Sequence, residues 1–239
     1  RVLFRSARVI DEGLSKRELE DVIDNDDFSK YGNALTNFSS QLSTNQSLLA
    51  MNVLKDPYRL DFVTLERGYD EHDLESAIAK DITRFLLELG SGFTYVGRQP
   101  EFVVGNEGYF PDLLFYHIRL RCYVVIELKV VDFKPEFAGK LNFYVTACNK
   151  LLRQPEDNPT IGLLLCKSKD QTKVEWAFDS IRNPMGVATY EGIKIKDKLP
   201  SVEDLKKRLD MVEQELREYK ENEEASAKDG NYTSNQETK

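Results

Sequence analysis

Three charged side chains stand in an otherwise apolar segment near the middle of the chain. Glu127 and Lys129 end the run CYVVIELK, which begins at Cys122 and is rich in the β-branched and aromatic residues of a buried strand. Because residues two apart point to the same side of a strand, Glu127 and Lys129 are expected to lie next to each other on one face. Placing both charges in an apolar strand carries a desolvation cost that a surface pair would avoid, so the pattern favours a functional role.

Asp112 stands fifteen positions before Glu127, inside the preceding apolar run PDLLFYH. If the intervening residues IRLR turn the chain, the two runs pair as an antiparallel hairpin, and Asp112 approaches Glu127 near the end of the sheet. Pro111 suits the first residue of a strand, because it lacks an amide donor and fixes φ. The sequence therefore predicts two carboxylates and an ammonium close together at one sheet end.

These three groups are the ones that a magnesium-dependent phosphodiester hydrolase needs. Magnesium typically binds one or two protein carboxylates, keeps several waters and takes phosphate oxygens of the substrate. The metal acidifies a water and screens charge on the phosphorus, while a nearby lysine orients that water or stabilises the developing charge. We therefore predict Asp112 and Glu127 as Mg²⁺ ligands, the Leu128 carbonyl as a candidate third ligand, and Lys129 as the residue that positions the attacking water; Mn²⁺ is expected to substitute.

The motif Pro111-Asp112 followed by Glu127-Leu128-Lys129 resembles the PD-(D/E)xK signature of a large nuclease superfamily. The surrounding sequence is similar to one branch, the bacterial YhcG-type nucleases, from about residue 56 to 190. The similar segments are FLLELGSGFTYVGRQ, PDLLFYH, IELK, KPEFAGKLNFY and NPTIGLLLC. The resemblance implies an α/β fold with a restriction-endonuclease-like core, in which helices flank a mixed central sheet. It also implies a metal-dependent DNA endonuclease, of use in DNA repair, recombination or defence against foreign DNA.

The resemblance adds further candidate residues to the site. In the superfamily a glutamate on the first core helix often joins the metal site, and Glu75 is the candidate here, with Glu88 second. The alternative is that Glu75 only serves the N-terminus of its helix electrostatically. Relatives can carry a glutamine and a tyrosine four apart on a later helix, where this chain has Lys140 and Tyr144. Because a lysine only donates hydrogen bonds, Lys140 is expected to bind phosphate, and Tyr144 is either a second nucleic-acid contact or a core aromatic.

The order of helical and strand patterns predicts the elements that position these residues. Apolar spacing predicts one helix over 70–89, capped by Asp73 and stopped by Gly90, and another that begins at Pro135. The run TIGLLLCKS predicts a strand covered on both faces, KVEWAFDSI a short helix, and GVATYE a last strand at an edge. The order is helix, three strands, helix, strand, helix and strand, which is an α/β layer with the chemistry at one end.

The segment TYVGRQPEFVV, between the first helix and the motif, predicts a strand or a strand pair kinked around Pro100. Arg98 and Gln99 precede that proline. They are candidates for contacting phosphate in the groove, and an ordinary surface role is equally compatible with the pattern.

Composition excludes several other classes of protein. The chain is 41% hydrophobic and 31% charged, contains no apolar run near the ~20 residues of a membrane span and shows no signal peptide. Cys122, Cys148 and Cys166 lack CxxC spacing, so we expect reduced core thiols in a cytoplasmic protein. The two histidines, His72 and His117, argue against zinc chemistry.

A net charge of −8 is unusual for a protein with a DNA partner, but the charge is unevenly distributed. Residues 112–153 contain seven bases and four acids, whereas residues 201–239 contain eleven acids and seven bases. Binding of a phosphate backbone depends on such local patches more than on the total charge.

The pattern along the chain predicts four regions. Residues 1–56 are expected to form a helical N-terminal region, either a small DNA-contacting or protein-docking domain or a packing cap. Residues 57–195 form the PD-(D/E)xK nuclease domain, 196–220 a C-terminal helix or short coiled coil, and 221–239 a disordered tail. The C-terminal helix either mediates a homodimer or docks on the domain. Because the sequence begins without methionine, its start is expected to be a truncation or an artefact.

Three functions are compatible with the sequence. The first is a Mg²⁺-dependent DNA endonuclease, and the second is a nucleic-acid-binding protein that keeps the fold but does not cleave. The third is an interaction module in which the charged strand forms a salt bridge. The complete set of Asp112, Glu127 and Lys129 favours the first.

Overall fold

The structure is a computed structural model that describes residues 32–196. The helical pattern before residue 32 and the predicted C-terminal helix and tail lie outside the described residues, apart from Lys196. Within the described residues, no helix is both long enough and apolar enough to span a membrane.

Eleven strands and six helices occur within residues 32–196. The strands are β1 (Leu35–Thr36), β2 (Tyr58–Arg59), β3 (Thr64–Glu66), β4 (Phe93–Arg98), β5 (Phe102–Val104), β6 (Glu107–Tyr109), β7 (Leu113–His117), β8 (Cys122–Leu128), β9 (Ile161–Cys166), β10 (Met185–Glu191) and β11 (Lys194–Lys196). The helices are α1 (Phe38–Gln41), α2 (Thr44–Val53), α3 (Glu71–Lys80), α4 (Ile82–Leu89), α5 (Pro135–Leu151) and α6 (Gln171–Phe178).

A mixed sheet of seven strands forms the centre of the described structure. Its order is β1-β10-β9-β8-β7-β4, and β2 also pairs with β10. Strands β8, β9 and β10 run parallel, whereas β7 is antiparallel to β8 and β4 is antiparallel to β7. The predicted hairpin of the two motif runs is therefore present as β7 and β8, joined by residues 118–121.

Helices cover both faces of this sheet, which confirms the predicted α/β layers. Helices α3 and α4 pack on the face to which Leu113 and Ile126 point. Helices α5 and α6 pack on the opposite face, against Leu114 and Val125. Strand β9 is buried along its whole length, as the uninterrupted apolar run predicted.

Helix α5 lies close to the sheet because β9 carries a glycine beneath it. A Cβ atom on Gly162 would lie 2.8 Å from Val145 Cγ2 and 3.0 Å from Leu141 Cγ, closer than the packing allows. Pro135 occupies the first turn of α5, where its missing amide costs no helical hydrogen bond, as predicted. This close approach brings the side chains of α5 to the carboxyl end of β8.

The single helix predicted over 70–89 is wrong, because the chain forms two helices there. Asp81 leaves the helical conformation, with φ −121° and ψ 50°, between α3 and α4. The N-cap is Asp70 rather than Asp73, and the two residues form a capping box in which each side chain accepts the other's amide. Gly90, with φ 98°, ends the second helix as expected.

The prediction that GVATYE is an edge strand is also wrong. Strand β10 pairs with β9 on one side and with β1 and β2 on the other, because residues 35–59 return to the sheet. Leu35–Thr36 is therefore a strand within a segment predicted as helical, and Phe38, Ala50 and Leu54 are buried in the same core as the sheet. This part of the N-terminal region packs against the central sheet.

The number of strands before α5 also differs from the prediction. A short hairpin of β5 and β6 lies between β4 and β7. Strands β4 and β5 lie on either side of Pro100, as the alternative of two strands there predicted, whereas β6 is absent from the predicted order of three successive strands. Gly105, with φ 66°, lies in its turn. Cys122, Cys148 and Cys166 are free and buried, as predicted for core thiols.

Candidate metal and nucleic-acid site

Asp112 and Glu127 lie opposite each other where the β7–β8 hairpin opens. The register pairs Leu113 with Ile126, so the next position outward places Asp112 across from Glu127. Asp112 Oδ2 accepts a hydrogen bond of 2.7 Å from the Leu128 amide. This bond joins the aspartate to the end of β8, so the two carboxylates are held at one end of the sheet.

Glu127 is fully buried, and both of its lysine partners contact the same oxygen. Its Oε1 accepts hydrogen bonds from Lys140 Nζ at 2.5 Å and from Lys129 Nζ at 3.4 Å. Its Oε2 is buried and has no hydrogen-bond partner among residues 32–196. Since a buried carboxylate oxygen without a partner is costly, this atom calls for a ligand or another explanation.

Lys129 follows β8 directly and is held there by its backbone. Its amide donates to the Leu165 carbonyl at 2.8 Å, and its carbonyl accepts from the Tyr190 hydroxyl at 3.1 Å. Its ammonium lies 5.4 Å from the centre of the Phe137 ring. The side chains of Glu127 and Lys129 thus lie together on one face, as the strand alternation predicted.

Burial and charge raise the pKa of Asp112 to about 7. Burial disfavours the carboxylate form, and the negative charge of Glu127 adds to that effect. The hydrogen bond from the Leu128 amide and the charge of Lys129 oppose it only in part. The Leu128 amide and Lys129 are therefore not enough to keep the pKa of Asp112 at its ordinary value.

Glu75, the predicted additional metal ligand, is engaged by two residues from the end of β4. Arg98 Nε donates to one carboxylate oxygen and Gln99 Nε2 donates to the other at 2.7 Å. Arg98 also donates to the Ser76 hydroxyl at 2.8 Å, and the Gln99 amide donates to the Asp112 carbonyl at 3.0 Å. This arrangement links α3 and β4 to Asp112, and it gives Arg98 and Gln99 a carboxylate partner.

The predicted ligands do not form a complete cluster by themselves. Within residues 32–196 there is no group of three or more His, Cys, Asp or Glu side chains that could hold a metal ion. The second candidate, Glu88, accepts a hydrogen bond of 2.9 Å from the Arg59 amide and lies 3.6 Å from Lys55 Nζ. The structure therefore brings together Asp112 and Glu127, and a metal role for Glu75 stays a prediction.

Lys140 and Tyr144 lie on α5 beside Glu127. Lys140 Nζ is 5.3 Å from the centre of the Tyr144 ring, and Tyr144 is only 6% exposed. Burial lowers the pKa of Lys140, but the hydrogen bond and charge of Glu127 outweigh it, so the pKa is raised overall. A nucleic-acid contact by either residue stays a prediction.

The sequence interpretation missed the contact between Lys140 and Glu127. A signal for it exists, because Lys140 stands between Phe137 and Tyr144 at helical spacing, so it falls near the stripe that packs on the sheet. A charge among sheet-facing residues is the same anomaly that marked Glu127. What the sequence does not give is the angle at which α5 crosses the strands.

A mixed sheet flanked by helices, with an aspartate and a Glu-x-Lys motif at the ends of adjoining strands, defines a PD-(D/E)xK nuclease fold. The YhcG PDDEXK nuclease domain matches residues 51–210, which is more than half of the chain. The chain therefore belongs to the YhcG PDDEXK nuclease domain family. PDDEXK nucleases generally use divalent metal ions.

One curated relative is the protein named "Putative nuclease YhcG" of Escherichia coli (strain K12). The two are 35% identical over 144 residues, which is 60% of this chain and 38% of the relative. The chain thus matches well under half of the length of that relative.

Two solved structures show weaker similarity. The EndoMS-dsDNA2 complex is 15% identical with a TM-score of 0.35, over 55% of this chain and 45% of the other. A repair endonuclease from Pyrococcus abyssi is 17% identical with a TM-score of 0.32, over 56% of this chain and 50% of the other. These scores are too low to support an inference about this chain.

Proposed function

We propose that this chain is a Mg²⁺-dependent deoxyribonuclease that cleaves phosphodiester bonds endonucleolytically, with Mn²⁺ as a substitute ion. Membership of a nuclease family supports the reaction class. The observation that carries the metal assignment is the buried Oε2 of Glu127, opposite Asp112, which has no hydrogen-bond partner in the described part of the chain. Such an activity would serve DNA repair, recombination or defence against foreign DNA, and we expect it in the cytoplasm.

The donor atoms at this position fit a hard divalent cation. Asp112 and Glu127 offer carboxylate oxygens, and the carbonyl of Leu128 is a third donor. The N–H and C=O groups of one strand residue point to the same side of the strand. Because the Leu128 amide donates to Asp112, the Leu128 carbonyl also points towards Asp112. A set made only of oxygen donors is the type that magnesium and manganese prefer.

An ion held by these residues would supply Lewis-acid chemistry, polarising the phosphate and lowering the pKa of a bound water. In this proposal Lys129 orients the attacking water and stabilises charge on the phosphate, and the 3.4 Å distance between its ammonium and Glu127 Oε1 supports that role. Asp112 must be ionised to act as a ligand. Positive charge at the site favours that form and offsets the burial that raises its pKa.

DNA is the proposed substrate, and the basic residues of the motif region support it. Residues 112–153 contain seven bases and four acids, an excess that suits a phosphate backbone. Arg98, Gln99, Lys140 and Tyr144 remain our proposed nucleic-acid contacts. Arg98 and Lys140 would contribute while keeping their carboxylate partners, since Lys140 is about half exposed, at 48% for its side chain.

The test is cleavage of DNA by the purified chain with different divalent ions. We expect nicking or degradation with Mg²⁺ or Mn²⁺ but not with Ca²⁺. Asp112→Ala and Lys129→Ala are expected to abolish cleavage while the fold is retained, as judged by circular dichroism and thermal unfolding. Lys150→Ala is the matched control, because Lys150 is an exposed lysine on α5.

Full activity of Asp112→Ala would remove the catalytic assignment. A panel of duplex, flapped, junction and single-stranded DNA, with RNA equivalents, would define the substrate. Binding to this panel without cleavage under any ion would favour the non-cleaving nucleic-acid-binding protein instead.

A further inference from the structure

The two oxygens of Glu127 have opposite environments. Oε1 is contacted by both Lys129 and Lys140, at 3.4 and 2.5 Å, while Oε2 has no hydrogen-bond partner within residues 32–196. A carboxylate buried only to form an ion pair would gain most by sharing the two ammonium groups between its two oxygens. The observed crowding on one oxygen keeps the other available.

Lys140 does not need Glu127 in order to be solvated. Its side chain is 48% exposed, so water could hydrate its ammonium if the chain turned outwards. The ammonium instead lies at the buried carboxylate and 5.3 Å from the centre of the Tyr144 ring, which favours a cation near its face. Lys140 therefore holds a positive charge close to the proposed metal ligand Glu127, although its ammonium could be hydrated elsewhere.

We propose that Lys140 is a resident cation of the site that limits it to one divalent ion, bound at Glu127 Oε2 and Asp112. This inference rests on the proposed function. In two-metal nucleases the ions lie about 3.5–4 Å apart, and a carboxylate that bridges them through both of its oxygens offers one oxygen to each ion. Here Lys140 already occupies Oε1 of Glu127.

The charges of the four side chains at the site also favour one divalent ion. When both carboxyl groups are ionised, as they must be to bind a metal, Asp112 and Glu127 bring two negative charges, and Lys129 and Lys140 bring two positive ones. One divalent ion leaves the site positive enough to receive a phosphate, whereas a second would meet strong repulsion at short range. Lys140 thus takes the place of a second ion in balancing the charge of the bound phosphate.

The test is a titration of the full chain with Mn²⁺, measured by isothermal calorimetry and by the electron paramagnetic resonance of free Mn²⁺. We expect one Mn²⁺ per wild-type chain. Lys140→Gln removes the charge and is expected to bind Mn²⁺ at least about tenfold more tightly, because the repulsion is relieved. Lys140→Arg keeps the charge and should bind like the wild type, as should the matched control Lys150→Gln.

Two results would overturn the role of Lys140: two Mn²⁺ ions per wild-type chain, or unchanged affinity in Lys140→Gln. Thermal unfolding of each variant shows whether it is folded. If Lys140→Gln is unstable, Lys140→Arg still tests the proposal, because an altered Mn²⁺ affinity in Lys140→Arg also counts against it. Failure of the proposed function has a different signature, because the wild type would then bind no Mn²⁺. A wild type that binds one ion and cleaves DNA, with an unaffected Lys140→Gln, refutes only the further inference.

Discussion

Two sites at which lysine contacts a carboxylate of low exposure lie near the carboxyl ends of the parallel strands, and they differ in how many carboxylate oxygens have a hydrogen-bond partner. In the first pair, Asp56 Oδ1 accepts from the Thr189 amide at 2.8 Å and from its hydroxyl at 2.7 Å, and Oδ2 accepts from Lys169. Lys169 also donates to the Val187 carbonyl at 3.2 Å. Every oxygen of this first carboxylate therefore has a partner.

In the second pair, at Glu127, only one of the two carboxylate oxygens has a hydrogen-bond partner among the described residues. Both lysines contact Oε1, Oε2 has no described partner, and the neighbouring Asp112 has a pKa raised to about 7. Both carboxylates have low exposure, 10% for the Asp56 side chain and 0% for that of Glu127, so low exposure alone does not separate them. The difference teaches that a closed network fixes the fold, whereas an open one leaves atoms available for a ligand.

The largest expected effect is on catalysis, from Asp112→Asn. Losing the charge of one metal ligand should lower kcat/KM for DNA at least about a thousandfold, equivalent to roughly 4 kcal/mol. The free energy of unfolding should be unchanged or raised, because the substitution removes repulsion from Glu127 and the amide oxygen still accepts from Leu128. Cleavage assays and urea unfolding at pH 7 measure the two quantities. If Asp112→Asn still cleaved DNA but was much less stable, Asp112 would be a structural residue and not a catalytic one.

The closed pair should show the opposite behaviour. Lys169→Met leaves Asp56 as a buried charge with only the Thr189 donors, so the free energy of unfolding should fall by roughly 3 kcal/mol. Cleavage per folded molecule should stay within a few-fold of the wild type. Lys173→Met, at an exposed lysine on α6, is the control and should change neither. A wild-type urea midpoint for Lys169→Met would mean that the pair is not structural.

His117 provides a second case, because its Nε2 is also buried without a hydrogen-bond partner within residues 32–196, but the charge that acts on it, from Arg119, is positive. Its Nδ1 accepts from the Leu120 amide at 3.0 Å, and its ring lies edge-on to Phe93 at 4.8 Å. Burial lowers the pKa of His117 from 6.5 to about 4. An unpartnered atom alone therefore does not mark a metal site.

The smallest expected effect follows from this lowered pKa. A histidine with a lower pKa in the folded state stabilises the fold above pH 6.5, and that stability is lost as the pH falls towards 4. His117→Gln should remove up to about 3 kcal/mol of this acid sensitivity, measured by urea unfolding between pH 7 and 4.5. His72→Gln, at an exposed histidine, is the control. Equal acid sensitivity in wild type and His117→Gln would show that the ring is not neutral and buried.

Local patterns were sufficient to predict the central hairpin. Alternation and a continuous apolar run define β7 and β8, and they place Glu127 beside Lys129 without any long-range information. Features that depend on distant partners could not be predicted in this way. Strand β10 is interior only because residues 35–59 return beside it, and the contact of Lys140 with Glu127 depends on how α5 crosses the sheet.

The break at Asp81 shows another limit of the sequence pattern. The apolar stripe continues through α3 and α4, so periodicity alone predicts one helix. Both helices bury residues of that stripe in the same core, so the stripe does not show where the helical backbone is interrupted.

Diffraction from crystals of the chain soaked in Mn²⁺, with data collected at the manganese absorption edge, would locate the proposed ion. We expect one anomalous peak, within about 2.0–2.6 Å of an Asp112 oxygen and of Glu127 Oε2. A map with no peak there, or with manganese bound only to other residues while the soaked protein cleaves DNA, would contradict this expectation.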